Sequence, residues 1–171
     1  QRFLVTEPPA EISRRDLTPL PVPASAEVTV WNQWTLVWLR EEWTHAGATH
    51  QPGTLLGLPT DTLLRDPETT PARVLFSPTE HAVLEDLTLV RDYVVLTVIE
   101  DVVSHLELLM PPAESAAGPW ESSALPSPDE GGSSPATVAV SAFDAPESNA
   151  LWLVTTGFTQ PSTLWLQDLP P

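Results

Sequence analysis

From Glu27 onward the apolar residues of this chain either alternate with polar ones or gather in short runs bounded by Pro, Gly, Asp or Asn. Alternation at period two marks a strand with one wet face, and a short continuous apolar run marks a strand buried on both faces. The pattern predicts strands at Glu27–Trp31, 34–40, 54–58, Arg73–Phe76, 83–89, 93–99, 104–109, 137–143, 151–155 and 163–167. Nearly everything ordered is therefore expected to be β. One helical turn is expected around 61–65, where Thr60 or Asp61 offers a cap. Residues 1–24 hold Pro8, Pro9, Pro19, Pro21 and Pro23 with little periodicity, which reads as an extended connector with a short strand at Phe3–Val5. Two stretches read as loops, 61–71 and 111–135, and the second is unusually long for a compact domain. Trp120 and Leu125 are expected to tack its middle onto the core.

Three segments share one order of elements: an entering strand, a polar break, a strongly apolar strand, a polar turn and an alternating strand. The strongly apolar strands begin at Trp34, Tyr93 and Leu151 and are almost equally spaced. Antiparallel units recurring at roughly 40 to 60 residues are the signature of β-propeller blades, whose small sheets bury their faces on one another. The same strands could build a β-sandwich, but the even spacing favours the propeller. The expected fold is all-β, with residues 25–171 forming about three blades.

Composition removes whole mechanisms. Hydrophobic residues make up 42% and charged residues 18% of 171, enough to bury a core and, at this length, to form one domain. There is no cysteine, and all seven basic residues are arginine. Disulfides, thiolate chemistry, lysine Schiff bases and Walker A phosphate loops are excluded. A net charge of −16 with scattered arginines repels a phosphate backbone, so no nucleic-acid partner is expected. No apolar run reaches the ~20 residues of a membrane-spanning helix. The chain starts at Gln1, and residues 1–23 lack the basic start and apolar core of a signal peptide, which leaves the compartment open.

The candidate chemistry is thin. The carboxylate pairs Glu41-Glu42, Glu100-Asp101 and Asp129-Glu130 are sequence neighbours, which point to opposite faces of a strand instead of across a substrate. His45, His50, His81 and His105 follow no metal-ligand spacing, and His105 reads as a sheet-surface residue. No G-x-S-x-G elbow occurs; the Gly131-Gly132-Ser133-Ser134 run reads as linker. No catalytic, metal or cofactor-binding residue is assigned, and no cofactor is expected.

The stretch Arg91-Asp92-Tyr93-Val94-Val95-Leu96-Thr97-Val98-Ile99-Glu100-Asp101-Val102-Val103-Ser104-His105-Leu106-Glu107-Leu108 resembles a propeller blade of the prolyl oligopeptidase family, with its apolar strand ending in an Asp-x-Val turn. Upstream, Trp38-Leu39-Arg40-Glu41-Glu42-Trp43, Gly47 and Pro52-Gly53-Thr54-Leu55-Leu56 look like a preceding blade. Downstream, Gly157-Phe158-Thr159-Gln160-Pro161-Ser162-Thr163-Leu164-Trp165 is similar to a segment that lies shortly before such chains enter their peptidase domain. The resemblance covers residues 24–169. It implies a seven-bladed propeller that caps an α/β-hydrolase domain of the same polypeptide, where a Ser-Asp-His triad acts on short peptides. None of the triad motifs matches a position here, so the implied role of this segment is to restrict access and the chain alone is expected to be inactive. The competing expectation is a free-standing β-domain that binds a partner or glycan through Trp31, Trp34, Trp38 and Trp43.

Overall fold

The computed structural model describes residues 3–5, 17–112, 118–128, 136–157 and 161–170. They are nearly all β. The chain divides into two compact units, Gln1–Ser77 and Pro78–Pro171.

The first unit contains β1 (Phe3–Val5), β2 (Leu17–Pro19), β3 (Glu27–Trp31), β4 (Trp34–Trp38), β5 (Trp43–His45), β6 (Ala48–His50), β7 (Leu55–Pro59), α1 (Thr60–Arg65) and β8 (Arg73–Phe76). Its main sheet runs β3-β4-β7-β8, antiparallel throughout. The turn Asn32-Gln33 closes the first hairpin, with Asn32 at φ 51°, a left-handed conformation that asparagine tolerates well. β4 and β7 are buried at every position. Gly57 of β7 fits because a Cβ there would meet the Leu75 side chain at 3.1 Å. Leu20, Ala26, Val37, Leu39, Leu56, Leu58 and Leu63 form the core, and burying each large aliphatic side chain contributes about 1.5–3 kcal/mol before entropy is counted. A hairpin of β5 and β6 is inserted between β4 and β7, and its Trp43 packs against this core.

The second unit contains β9 (Ala82–Leu89), β10 (Val94–Glu100), β11 (Val103–Met110), β12 (Glu121–Leu125), β13 (Ala136–Ala142), β14 (Ala150–Gly157) and β15 (Thr163–Asp168). They form two antiparallel sheets, β9-β10-β11-β12 and β13-β14-β15. Val90, Tyr93, Val95, Leu106 and Leu125 of the first sheet and its flanks share one core cluster with Val138, Leu151, Leu153 and Leu169 of the second. Across this seam the Thr88 hydroxyl donates to the Val140 carbonyl at 3.2 Å.

The three strongly apolar strands fall where the repeat requires. β4, β10 and β14 are each the second strand of a separate sheet, not neighbours in one sheet. Three details differ from the sequence reading. α1 has Pro59 at its cap position, a residue with no side-chain hydrogen-bonding atom, and Thr60 is already its first helical residue, with Oγ1 in a 3.0 Å hydrogen bond with Thr35 Oγ1. The excursion after β4 holds the β5–β6 hairpin, whose strands are too short to show a period. The stretch 111–135 contains β12, and Leu125 at its end is buried in the core.

Candidate functional site

Among the described residues, two clefts are lined by polar side chains, one in each unit. In the second unit the β9–β10 turn meets the β13–β14 turn. Asn149, buried, accepts a hydrogen bond from the Asp92 amide at 2.9 Å through Oδ1. Its Nδ2 donates to Asp92 Oδ2 at 2.8 Å and to the Pro170 carbonyl at 3.2 Å. The Arg91 amide donates to the Ser148 carbonyl at 3.1 Å, while its guanidinium reaches Asp92 Oδ2 at 2.9 Å and the Glu147 carbonyl at 3.2 Å. The Asn149 hydrogen bond holds the Asp92 carboxyl below its ordinary value; burial opposes it, and the Arg91 guanidinium adds a lesser lowering. A cleft of about 250 Å³ beside this latch is lined by Arg91, Glu147, Ser148, Asn149, Asp168 and Leu169, among others. Its serine is committed as an acceptor to the Ala150 amide at 2.9 Å, and no histidine lines the cleft. The arrangement ties two sheets together and has no nucleophile–base pair.

In the first unit the β5–β6 hairpin brings two histidines together. The His45 ring stacks on Trp43 with centroids 4.4 Å apart, and its Nε2 lies 2.8 Å from the Thr70 carbonyl. His50 is cross-strand from Trp43. Burial first, and His45 second, lower its pKa from 6.5, so it is held neutral. A cleft of about 290 Å³ is lined by Thr49, His50, Gln51, Thr54, Val74 and Ser77. His50 Nε2 is buried and makes no hydrogen bond to a described residue. The neighbouring Ser77 hydroxyl instead accepts from Gln51 Nε2 at 3.5 Å. A histidine that does not touch the serine cannot serve as its base in this arrangement.

The remaining sequence candidates are dispersed. Glu41 and Glu42 are exposed, with Glu41 accepting from the Ser25 hydroxyl at 2.7 Å. Asp101 pairs with His81 at 3.0 Å on the surface, and His105 is exposed on β11. Asp129-Glu130, Gly131-Gly132-Ser133-Ser134 and Phe158-Thr159-Gln160 lie outside the described residues. Among the described residues no three His, Asp or Glu side chains form a metal-binding group, and no helix is long and apolar enough to cross a membrane. Trp31, Trp34 and Trp38 are buried, and the Arg40 guanidinium covers the Trp38 ring at 3.8 Å. These indoles are core, not a binding platform. The sequence reading missed the Asp92–Asn149 latch, because a contact between residues so far apart leaves no local pattern.

No protein-family model matches the chain. An uncharacterized peptidase, y4nA, of Sinorhizobium fredii is 28% identical over 151 residues, which cover 87% of this chain and 19% of that protein. The structure of a post-proline cleaving enzyme from Rickettsia typhi superposes with a TM-score of 0.72 at 20% identity, over 88% of this chain and 21% of that one. The chain thus spans about a fifth of the length of each. Its antiparallel sheets share the fold of the part of the post-proline cleaving enzyme that they cover, and in sequence the chain is similar to part of a peptidase.

Proposed function

We propose that this chain is a non-catalytic propeller segment, about three blades of seven, of a prolyl oligopeptidase-like serine peptidase that hydrolyses short peptides. The observation that carries the reading is the recurrence of one sheet plan, with β4, β10 and β14 as its apolar second strands, in a chain whose fold follows a post-proline cleaving enzyme along most of its length. The segment's role is to narrow access to an active site on an α/β-hydrolase domain of the same polypeptide, so that short peptides enter and folded proteins do not. Acyl transfer through serine takes place on that domain. This chain supplies no catalytic residue and needs no metal or cofactor.

Purified residues 1–171 should fail to cleave a chromogenic prolyl peptide. The full-length polypeptide should cleave it, should lose that activity to a serine-directed phosphonate, and should leave a folded protein substrate intact. Hydrolysis by residues 1–171 alone, or equal cleavage of peptide and folded protein by the full-length enzyme, would overturn the reading.

A further inference from the structure

The turn that follows α1 holds the one Asp–Pro bond of the chain, Asp66–Pro67. Proline holds the residue before it out of the helical conformation, so α1 ends at Arg65 and Asp66 adopts φ −139° and ψ 78°. The Asp66 carbonyl oxygen accepts two hydrogen bonds, from the Thr70 hydroxyl at 2.6 Å and from the Thr70 amide at 3.2 Å. The Asp66 carboxyl turns to the same segment, where its Oδ2 accepts from the Thr69 hydroxyl. Thr70 is itself fixed: it is 1% exposed, and its carbonyl accepts from His45 Nε2 at 2.8 Å. Asp66 is exposed, so water reaches it. Arg65 and Glu68, both exposed, are its charged neighbours on this segment, and His45 is the titratable group that faces the segment from β5.

An aspartate side chain can attack its own main-chain carbonyl because the ring that closes has five members, and a nucleophile on the same residue has a high effective concentration. Proline improves the leaving group, since the nitrogen of a tertiary amide takes up a proton more readily than that of a secondary one. Charge then builds on the carbonyl oxygen, and fixed donors aimed at that oxygen stabilise it. We propose that Asp66–Pro67 is a self-cleavage site, with the Asp66 carboxylate as nucleophile and Thr70 as the oxyanion donor. Asp66 Oδ1 adds to the Asp66 carbonyl carbon. The C–N bond to Pro67 breaks, and the nitrogen takes a proton from solvent and leaves as a secondary amine. The cyclic anhydride left on residue 66 takes up one water and opens to a carboxyl-terminal aspartate. The net change is hydrolysis of one peptide bond, with water and a proton as the only co-reactants. Residues 1–66 and 67–171 stay together afterwards, because β7 and β8 pair across the cut. The inference does not depend on the peptidase reading, since every reacting group lies in one turn.

Residues 1–171 are held at pH 5 in native buffer and in urea, and intact masses are read after denaturation. The native chain should yield 1–66 and 67–171, with Pro67 as the new amino terminus. Its rate should exceed that in urea by about tenfold or more, because in urea Thr70 no longer faces the carbonyl. Asp66→Ala should abolish the cleavage, which separates it from attack by a contaminating protease. Thr70→Val should bring the native rate down to the urea rate, and Thr70→Ser, which keeps the hydroxyl, should preserve it. The proposal is overturned if the native chain stays intact, if native and urea rates are equal, or if Asp66→Ala is still cut at this bond. It also falls if Thr70→Val cleaves as fast as wild type, or if Thr70→Ser is as slow as Thr70→Val.

Discussion

β4 and β14 hold the same position, each the second strand of its sheet, yet their burial differs. Every residue of Trp34–Trp38 is buried, whereas along Ala150–Gly157 Leu151, Leu153 and Thr155 are buried and Trp152 and Val154 are not. The residue types do not explain this, since Trp152 and Val154 are as apolar as Trp34 and Val37. Two-sided burial is a property of what lies over a strand, while the sequence only makes the strand fit to be covered. β14 is fit for two neighbours and has one among the described residues.

The largest effect that could break this comparison is a cavity. Leu36→Ala in β4 and Leu153→Ala in β14 each remove a side chain that is at most 1% exposed, and each should cost about 2–5 kcal/mol in urea denaturation. Leu166→Ala, on the open face, should cost less than about 0.5 kcal/mol. If Leu166→Ala proved as damaging as Leu153→Ala, the outer face of β14 would already be covered in this chain and the contrast with β4 would be lost.

The sequence revealed the strands well, and for a physical reason. Glu27–Trp31 and Arg73–Phe76 have the bounds the sequence predicts, because turn-forming or proline-containing segments flank them. The strands it missed are of two kinds. β5 and β6 have three residues each, too few for a period to register. β12 reads Glu-Ser-Ser-Ala-Leu and is held by its pairing with β11 instead of by its own apolar residues. The polar sites were hardly legible. That His45 would bond to Thr70, or Asn149 to Asp92, depends on strand register and on turns far apart in the chain. The histidines and carboxylates were visible only as a list without partners.

The two polar sites offer the next test, since one joins two sheets and the other anchors a hairpin within a unit. Asn149→Ala leaves the Asp92 amide and the Pro170 carbonyl without their partner and should cost about 1–3 kcal/mol. Asn149→Asp keeps an acceptor but sets a carboxylate against Asp92, so it should cost at least as much near neutral pH. The sign of the pH dependence follows from Asp92, whose carboxyl titrates below its ordinary 3.8 in the fold. Its contribution is complete above that value and is lost as pH falls through the lower folded one. The Asp92 side chain is 48% exposed, so solvent screens the effect. Removing Asn149 should therefore flatten the acid limb of the stability curve modestly; an unchanged limb would mean that Arg91 alone holds Asp92.

A smaller effect is expected at the β10–β11 turn, with the opposite sign. Asp101 and Val102 both have positive φ, 46° and 67°, which suits a two-residue hairpin but is costly for a β-branched side chain. Val102 is 93% exposed and so gains little from packing in this chain. Val102→Gly relieves the left-handed strain and loses part of that gain to backbone entropy, leaving a net stabilisation of up to about 1 kcal/mol. A lower Tm for this variant would show that the valine makes a contact worth more than the strain.

The smallest effect separates the hairpin from the sheet it sits on. His50 is held neutral chiefly by burial, with His45 adding to it, so its folded pKa lies below 6.5. Above 6.5 neither the folded nor the unfolded state takes up a proton at this site, and the neutral ring costs nothing. As pH falls below 6.5 the unfolded chain binds a proton that the fold resists, so stability declines until the lower folded pKa is reached. His50→Gln removes this proton uptake, and the difference between wild type and variant in Tm should widen from pH 7.5 to pH 5.5 in favour of the variant. Amide exchange on β5 and β6 should report the same change, with wild-type protection of Thr44, Thr49 and their neighbours falling on acidification before that of β4 and β7. If β4 and β7 lost protection at the same pH, the hairpin and the sheet would open as one cooperative unit, and His50 would report on the whole first unit.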